Sequence, residues 1–428
     1  MRKAFLGIRI IALLLAMVFL CTACSSGHWE TEFISEYVEV PIENNQSTDN
    51  SVSGNEASSN VVSDTSSSLN GDTVTSSSDG VDVNLTEPGY LDASQYGIHN
   101  AFLTYVCKGN TTYPHTEEKF LPSVAYIENG QIKDTLFDTF IFLPNVNFVY
   151  DYGPDDDGRA PLKKSDWQGY MRMHQFSDGN MGALDSATGK MKQALNKPDY
   201  KTNVIMPMVS PVKSVTEFGV VDGKNLNLTN FEDRKLAAKW MVDAQIDEFN
   251  HHNYNNLKVV GFYWFIEGIN SNDKETIELI KYITDYIRSI GHITLWLPYF
   301  YAGGYSVWKD FGFDLVAMQP NFFPSSSLPN AGGEERLKQT ADAAKKYNMG
   351  VELECEYNTE ASATNLKKYY RGGIEHGYIN AFHAFYAQQG PSVFYDFFAS
   401  EDPYMHSVYT DTYKFIKKTL KVEEMIIK

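Results

Sequence analysis

Residues 349–358, MGVELECEYN, hold the side-chain pattern that most directly suggests chemistry. Three glutamates, Glu352, Glu354 and Glu356, alternate with apolar residues, as in a strand whose two faces differ. The glutamates then share one face, with successive Cα atoms about 6.6 Å apart. In a partly dry interior such carboxylates repel one another and lose hydration, which raises the pKa of at least one of them. A carboxyl group with a raised pKa can donate a proton near neutral pH.

A further acid, Glu267, ends another apolar run in the segment GFYWFIEGIN. By itself, Glu267 could simply cap the helix that follows. Two carboxyl groups across a cleft, however, are the minimal apparatus for hydrolysing a glycosidic bond, because one protonates the leaving oxygen while the other attacks the anomeric carbon or activates water. We therefore predict Glu267 and Glu354 as catalytic residues, with Glu352 as the alternative to Glu354.

A structural role for these acids is the competing interpretation, and it would require partners. The predicted strands contain no lysine or arginine, so neutralising cations would have to come from loops, for example Lys213 or Arg371. Hydrogen bonds from Tyr, Asn, Gln or His side chains are the other structural possibility, since polar networks also perturb acids that have no function.

Apolar runs of strand length alternate with helical patterns over residues 90–428, as in βα units. The runs are mostly apolar on both faces, which is typical of parallel strands covered by helices. Their number predicts a single α/β domain, a (β/α)8 barrel of the TIM type, with a doubly wound open sheet as the rival fold. The predicted strands are 98–106, 136–143, 203–209, 259–266, 292–298, 315–319, 350–355 and 379–386, and the predicted helices are 185–195, 231–250, 273–290, 334–347, 361–377 and 402–420.

In a parallel barrel, functional side chains lie at the carboxyl ends of the strands. The fourth and seventh runs are three places apart around a ring of eight, so we expect Glu267 to face the seventh-run glutamates across the mouth. Polar or aromatic residues end nearly every run, and aromatic rings pack well on sugar C–H faces. The predicted substrate contacts are Trp264, Trp296, Tyr299, Tyr301, Gln319, Asn321, Glu356 and Tyr386.

Residues 1–23 have the features of a secretory signal peptide: basic residues, then an apolar stretch too short to span a bilayer with margin. The following CTAC resembles the lipobox of bacterial lipoproteins, with Cys21 where Leu is commonest. That resemblance implies cleavage before Cys24 and lipid attachment to its thiol, which would anchor the protein at the extracellular face of the bacterial membrane. Residues 24–89, rich in Ser, Thr, Asn and Asp, are predicted to form a flexible tether.

The composition excludes several classes of function. A net charge of −18 repels phosphate backbones, so we expect no nucleic-acid partner and favour neutral over polyanionic glycans. Four cysteines are too few for a disulfide scaffold. The sequence has neither a Gly-rich phosphate loop after the first run nor a Gly-x-Ser-x-Gly nucleophile elbow, and we expect no cofactor. The oligomeric state is left open.

Several sequence blocks together resemble one family, domain of unknown function 4855. In chain order they are FLPSVAYI, FDTFIFL, GFYWFIEGI, LWLPYF, FGFDLVAMQPNFF, GVELECEYN and VYTDTYKFIK. The resemblance covers residues 96–418 and implies a secreted or surface bacterial domain with a glycoside-hydrolase-like barrel, but it implies no established reaction.

The layout is also similar to the large clan of retaining glycosidases. That similarity implies an acid/base role for Glu267 after strand four and a nucleophile role for Glu354 or Glu352 on strand seven. The chain has Ile266 where the clan usually has Asn before the acid/base, so the clan's contact to the sugar 2-hydroxyl is not implied here.

Three functions follow as hypotheses. The first is a surface-anchored retaining glycoside hydrolase that acts on a neutral poly- or oligosaccharide. The second is a non-catalytic carbohydrate-binding lipoprotein whose acids only bind sugar hydroxyl groups. The third is a metal-dependent hydrolase or deacetylase built around His99 and His383, with Asp138 or an inward glutamate, although these histidines lack a recognised ligand spacing, so we predict no metal site.

Overall fold

The computed structural model describes residues 89–106, 114–144, 162–322, 333–388 and 390–428. The predicted signal peptide, the lipid acceptor Cys24 and the predicted tether up to residue 88 lie outside these ranges. Within them, no helix has both the length and the apolar character needed to cross a membrane.

Eight parallel strands form a closed barrel in which each strand pairs with its neighbours in chain order and the last pairs with the first. This confirms the predicted (β/α)8 barrel, and each of the eight predicted runs contains or overlaps one of its strands. The strands are β1 (Asn100–Tyr105), β2 (Thr139–Leu143), β3 (Thr202–Met208), β4 (Leu257–Trp264), β5 (Ile293–Trp296), β6 (Leu315–Met318), β7 (Gly350–Cys355) and β8 (His383–Ala387).

Helices lie between and after the strands, and several begin at side chains that cap them. Asn230, Asp273 and Thr359 each accept a hydrogen bond from a backbone N–H in the first turn of the helix that follows. The helices are α1 (Glu117–Val124), α2 (Lys164–Tyr170), α3 (Met181–Leu195), α4 (Phe231–His252), α5 (Lys274–Ser289), α6 (Glu335–Tyr347), α7 (Glu360–His376), α8 (Pro391–Phe398) and α9 (Pro403–Ile416).

The predicted helices match α3 to α7 and α9, whereas α1, α2 and α8 were not predicted. These three helices have seven or eight residues each, too few for a helical period to stand out. Two small antiparallel hairpins outside the barrel, residues 125–135 and 219–226, were also not predicted.

The register of the strands fixes which side chains face the barrel interior. Trp264 lies against α5 beside Ile283 and Ile287, so it faces outward, and its neighbour Tyr263 on β4 faces inward. On the other side of the barrel, Phe385 pairs in register with Phe102, whose ring lies 5.7 Å from Phe394 of α8.

Leu353 of β7 is in register with the outward-facing Phe385. Alternation along the strand therefore turns Glu352 and Glu354 into the barrel, next to Ala384 and Tyr386 of β8. The sequence pattern predicted this orientation for both glutamates.

Candidate active site

Glu352 and Glu354 lie inside the barrel near the carboxyl end of β7, and each is only 2% exposed. In the part of the chain that the structure describes, neither carboxylate forms a salt bridge. The two cations considered from sequence pair elsewhere, Lys213 with Asp273 and Glu275, and Arg371 with Glu334 at 2.6 Å. Neutralisation by these two cations is therefore not what the structure shows, whereas the hydrogen bond from Tyr369 to Glu354 is of the kind that the other structural interpretation expects.

Glu354 is surrounded by hydrogen-bond donors. Its Oε2 accepts the hydroxyl of Tyr369, which reaches in from α7, and the backbone N–H of Phe322 at 3.3 Å. The backbone N–H of Asn321 also stabilises the carboxylate. Asn321 has a left-handed backbone (φ 48°), the type of conformation in which successive N–H groups converge on one anion.

These donors determine the acidity of Glu354. Burial raises the pKa of Glu354 to about 8, the hydrogen bonds from Tyr369, Phe322 and Asn321 oppose that rise, and the charge of Glu267 adds to it. The site therefore supports a negative charge on Glu354 more strongly than burial alone would allow.

Glu352 has the opposite environment. Its Oε2 is buried and has no hydrogen-bond partner among the described residues. Burial, then the charges of Glu354 and Glu267, raises the pKa of Glu352 well above its ordinary value. This environment therefore favours the protonated form of Glu352.

Glu267 follows β4 and is exposed, in contrast to the two acids on β7. Its charge contributes to the raised pKa of both Glu352 and Glu354, so the three acids share one region of the barrel. The carbonyl of Ile266 accepts the indole N–H of Trp296 at 2.9 Å, which fixes the backbone just before Glu267. On its other side, a Cβ on Gly268 would lie 3.2 Å from the ring of Tyr299, so the glycine leaves room for that ring.

Three tyrosines surround the acids from β1, β4 and β8. Burial, followed by nearby negative charges, raises the pKa of Tyr105, Tyr263 and Tyr386, and Glu352 acts on all three. The rings of Tyr105 and Tyr386 meet edge to face with centroids 6.1 Å apart. The predicted position of Tyr386 near the acids thus agrees with the structure.

Tyr105, Tyr263 and Tyr369 are site residues outside the predicted set. The alternation that turned Glu352 inward could have placed Tyr105 and Tyr263, because each lies near the end of a barrel strand. Tyr369 could not have been found this way, since it lies on α7 and reaches Glu354 only through the packing of that helix.

Gln319 and Asn321 lie close to the acids, but their side chains form hydrogen bonds with backbone groups of the neighbouring loop. Gln319 donates to the carbonyl of Leu297 at 2.9 Å, and Asn321 accepts the N–H of Phe300 at 3.0 Å. Both side chains are largely buried. They therefore fix the loops after β5 and β6, which differs from the predicted role in contacting substrate.

The structure corrects the prediction that Trp264 and Trp296 contact substrate. Both indoles are buried in the layer between the strands and the outer elements, where Trp296 stacks on Phe313 at 5.4 Å and Trp264 lies against α5. Period-two alternation explains the error, because the residue after an inward tyrosine on β4 must face outward.

Three predicted substrate contacts remain: Tyr299, Tyr301 and Glu356. Tyr299 lies beside Gly268 and hence close to Glu267. Tyr301 is 48% exposed, and burial, then the charge of Asp342 on α6, raises its pKa, so it lies on the α6 side of the rim. Glu356 is near the end of β7, where burial followed by Glu356 raises the pKa of the Cys355 thiol to about 12.

The histidines of the metal hypothesis lie at the opposite end of the barrel. His99 precedes β1 and lies 3.3 Å from Asp138, whereas His383 begins β8 and contacts Asn100 and the carbonyl of Tyr378. Burial lowers the pKa of His383 to about 4, so it is a neutral core residue. No group of three His, Cys, Asp or Glu side chains in the described ranges could hold a metal ion.

Comparisons with solved structures find similar chains among glycoside hydrolases. A family 18 chitinase from Crocus vernus aligns with a TM-score of 0.36 and 14% identity over 72% of this chain and 99% of its own. A family 5 glycoside hydrolase from Prevotella bryantii B14 aligns with a TM-score of 0.37 and 11% identity over 77% of this chain and 100% of its own. The strand order of the closed barrel establishes the fold.

No curated protein sequence matches this chain. The model of one family, described as "Domain of unknown function (DUF4855)", matches residues 100–414. Because that match spans most of the chain and nearly all of the barrel, the protein belongs to the DUF4855 family.

Proposed function

We propose that this protein is a glycoside hydrolase anchored at the cell surface, with Glu267 and Glu354 as its catalytic residues. One observation carries the proposal: three interacting acids share the interior and mouth of a closed parallel barrel, and no lysine or arginine forms a salt bridge to Glu352 or Glu354 within the described ranges. Such a region favours the positive charge that develops on the sugar ring in an oxocarbenium-like transition state.

The environments of the acids suggest their roles. Glu354 has donors that stabilise its charged form, so we assign it as the nucleophile, which attacks the anomeric carbon in the ionised form that predominates above its pKa of about 8. Glu267 is exposed after the carboxyl end of β4, so we assign it as the acid that protonates the leaving oxygen. Water, deprotonated by Glu267, would then release the sugar from Glu354 with net retention.

The substrate class follows from charge and from the surrounding rings. Acids at the mouth and a net charge of −18 disfavour polyanionic glycans, which leaves neutral poly- or oligosaccharides. Tyr299 and Tyr386 lie close enough to the acids to pack on the C–H faces of a sugar. Lipid on Cys24 and the tether would hold the barrel close to a polymeric substrate outside the cell.

One observation favours a second function, a barrel that binds glycans without cleaving them. Glu352 and Glu354 are each only 2% exposed, so a sugar must displace neighbouring groups before it can meet Glu354. In a protein that only binds, the exposed Glu267 and the tyrosines would contact the glycan and the two buried acids would remain closed off.

The two functions can be separated with the full-length protein in detergent on a panel of neutral oligosaccharides. The proposal predicts turnover that Glu267→Gln and Glu354→Gln each abolish. Glu375→Gln is the matched control, because Glu375 is exposed in the last turn of α7. Turnover that survives both site substitutions rules out the assignment, and saturable binding with no turnover supports the binding protein.

A further inference from the structure

Glu352 and Glu354 are two residues apart on one face of β7, yet their hydrogen bonds differ completely. Glu354 accepts bonds from Tyr369 and Phe322. Glu352 has a buried oxygen with no partner in the described part of the chain. An ionised carboxylate without donors in a dry interior costs far more free energy than one with them.

We infer that Glu352 is a positioning residue that keeps its proton beneath Glu354 after Glu354 has ionised, so that the first negative charge of the pair is located on Glu354. This inference rests on the proposed function and deepens it. It assigns the charged member of the pair, which the spacing of the glutamates in sequence leaves open, and it makes Glu352 a neutral donor instead of a second nucleophile.

The groups around Glu352 support this distribution of charge. Glu354 and Glu267 act on it with like charge, and the phenol groups of Tyr105, Tyr263 and Tyr386 lie near it from three other strands. Ala384, its register partner on β8, offers no polar atom in its side chain. Every nearby charge therefore favours the protonated form of Glu352.

A cation, Arg336 of α6, interacts with Glu354. Burial lowers the pKa of Arg336, and the charge of Glu354 opposes that shift. Arg336 donates to the carbonyl of Pro320 at 3.1 Å and stacks on Phe300. The interaction with Arg336 therefore stabilises the charged form of Glu354.

A proton on Glu352 has a consequence for the reaction. With Glu352 neutral, Glu354 can be ionised without a second buried charge two residues away, and the proton of Glu352 is available as a donor when Glu354 moves toward the sugar. Once Glu352 ionises at high pH, the two carboxylates repel each other and the geometry of Glu354 is disturbed. Glu352 therefore sets an upper pH limit for the site.

The same substitution at two positions tests the inference. Glutamine imitates a protonated carboxyl group, so Glu352→Gln is expected to lower kcat by less than about tenfold and to extend activity to higher pH. Glu354→Gln is expected to lower kcat by at least about 100-fold. Glu352→Leu, which removes the donor, should lose more activity than Glu352→Gln. Equal losses in Glu352→Gln and Glu354→Gln would overturn the inference.

A second measurement does not depend on turnover. Carbon-13 NMR of protein labelled at glutamate carboxyl groups should contain a signal that stays protonated above pH 8, where Glu354 has ionised, and that is missing from Glu352→Gln. If that signal is absent from the unmutated protein, or belongs to Glu354, the inference fails even when the enzyme is active. If no glycan is cleaved but the signal is present, the proposed function fails while the charge assignment stands.

Discussion

The hydroxyl of Tyr369 on α7 donates a hydrogen bond to Oε2 of Glu354 on β7, which links an outer helix to the acid inside the barrel. The same hydroxyl accepts the backbone N–H of Phe322 at 3.2 Å, and Asn365, one helical turn earlier, donates to the carbonyl of Phe322 at 2.7 Å. α7 thus holds both the acid and the loop after β6. The charge on Glu354 depends on how this helix packs.

Replacing Tyr369 with phenylalanine should raise the pKa of Glu354, because a donor to its charged form is lost. A hydrogen bond to a charged group contributes about 1.5–3 kcal/mol, so the acidic limb of the pH profile of kcat/KM should move up by about one to two pH units. The profile measured on a substrate from the panel gives the shift directly.

Tyr370→Phe is the matched control for that experiment. Tyr370 is the next residue on α7, is equally buried and bonds to Thr412 of α9, away from the acids. Tyr370→Phe should lower the free energy of unfolding about as much as Tyr369→Phe does, without shifting the pH profile of kcat/KM. An unchanged limb in Tyr369→Phe would show that the hydroxyl does not stabilise the charge of Glu354.

The buried acids should make the protein less stable as the pH rises. Glu354 has a pKa raised from 4.5 to about 8 in the folded protein, and the pKa of Glu352 is raised as well. Between 4.5 and about 8 the native state therefore holds more protons than the unfolded state, and the free energy of unfolding falls with rising pH. Each such group contributes a slope of about 1.4 kcal/mol per pH unit within its window.

Calorimetric melting from pH 6.5 to 9 tests this slope. Below pH 6.5 the buried histidines act in the opposite direction, because burial lowers the pKa of His115 and His383 to about 4 and stability there rises with pH. Glu352→Gln and Glu354→Gln should each flatten the decline above pH 6.5. A melting temperature that rises from pH 6.5 to 9 in the unmutated protein would contradict the assignment of raised pKa values.

Lipid attachment at Cys24 is the prediction that concerns location. Cys24→Ser removes the thiol that would carry the lipid, so the variant should leave the membrane fraction when the gene is expressed in a bacterium. Fractionation with an antibody against the barrel measures the distribution. Cys21→Leu is the control, because it removes a thiol that precedes the expected cleavage point and places the commonest residue at that lipobox position. Retention of Cys24→Ser in the membrane would mean that another feature anchors the protein.

The fold was predictable from sequence because buried parallel strands leave a strong signal. Most of the runs are apolar on both faces, and their number favours a closed barrel over an open sheet. The nearness of Glu267 to the acids on β7 also followed, since strand order around the ring fixes which strand ends face each other. These inferences needed only local pattern and topology.

The errors arose where a role depends on the direction or reach of one side chain. Trp264 is near Glu267 in sequence, which suggests a place in the site. Side chains of successive strand residues point to opposite faces, however, so Trp264 faces outward while Tyr263 faces the barrel interior. Tyr369 left no signal at all, because its contact with Glu354 exists only once α7 has packed on the barrel.

Trp296 has a supporting role that links stability to activity. Its indole N–H bonds to the carbonyl of Ile266, so Trp296→Phe removes the contact that fixes the backbone before Glu267. We expect a loss of about 1–3 kcal/mol in the free energy of unfolding and a lower kcat, because the acid is no longer held in place. Urea unfolding and steady-state kinetics measure the two effects.

Trp308→Phe separates the two effects. Trp308 is also buried, and its indole N–H donates to the carbonyl of Tyr347 at 2.9 Å, the same length as the Trp296 bond, but at the end of α6 and away from the acids. Trp308→Phe should lower the free energy of unfolding by a similar amount to Trp296→Phe and leave kcat unchanged. Because the two tryptophans differ mainly in which carbonyl they hold, a fall in kcat confined to Trp296→Phe would tie activity to the position of Glu267, whereas equal kinetics in both variants would show that Glu267 does not depend on this contact.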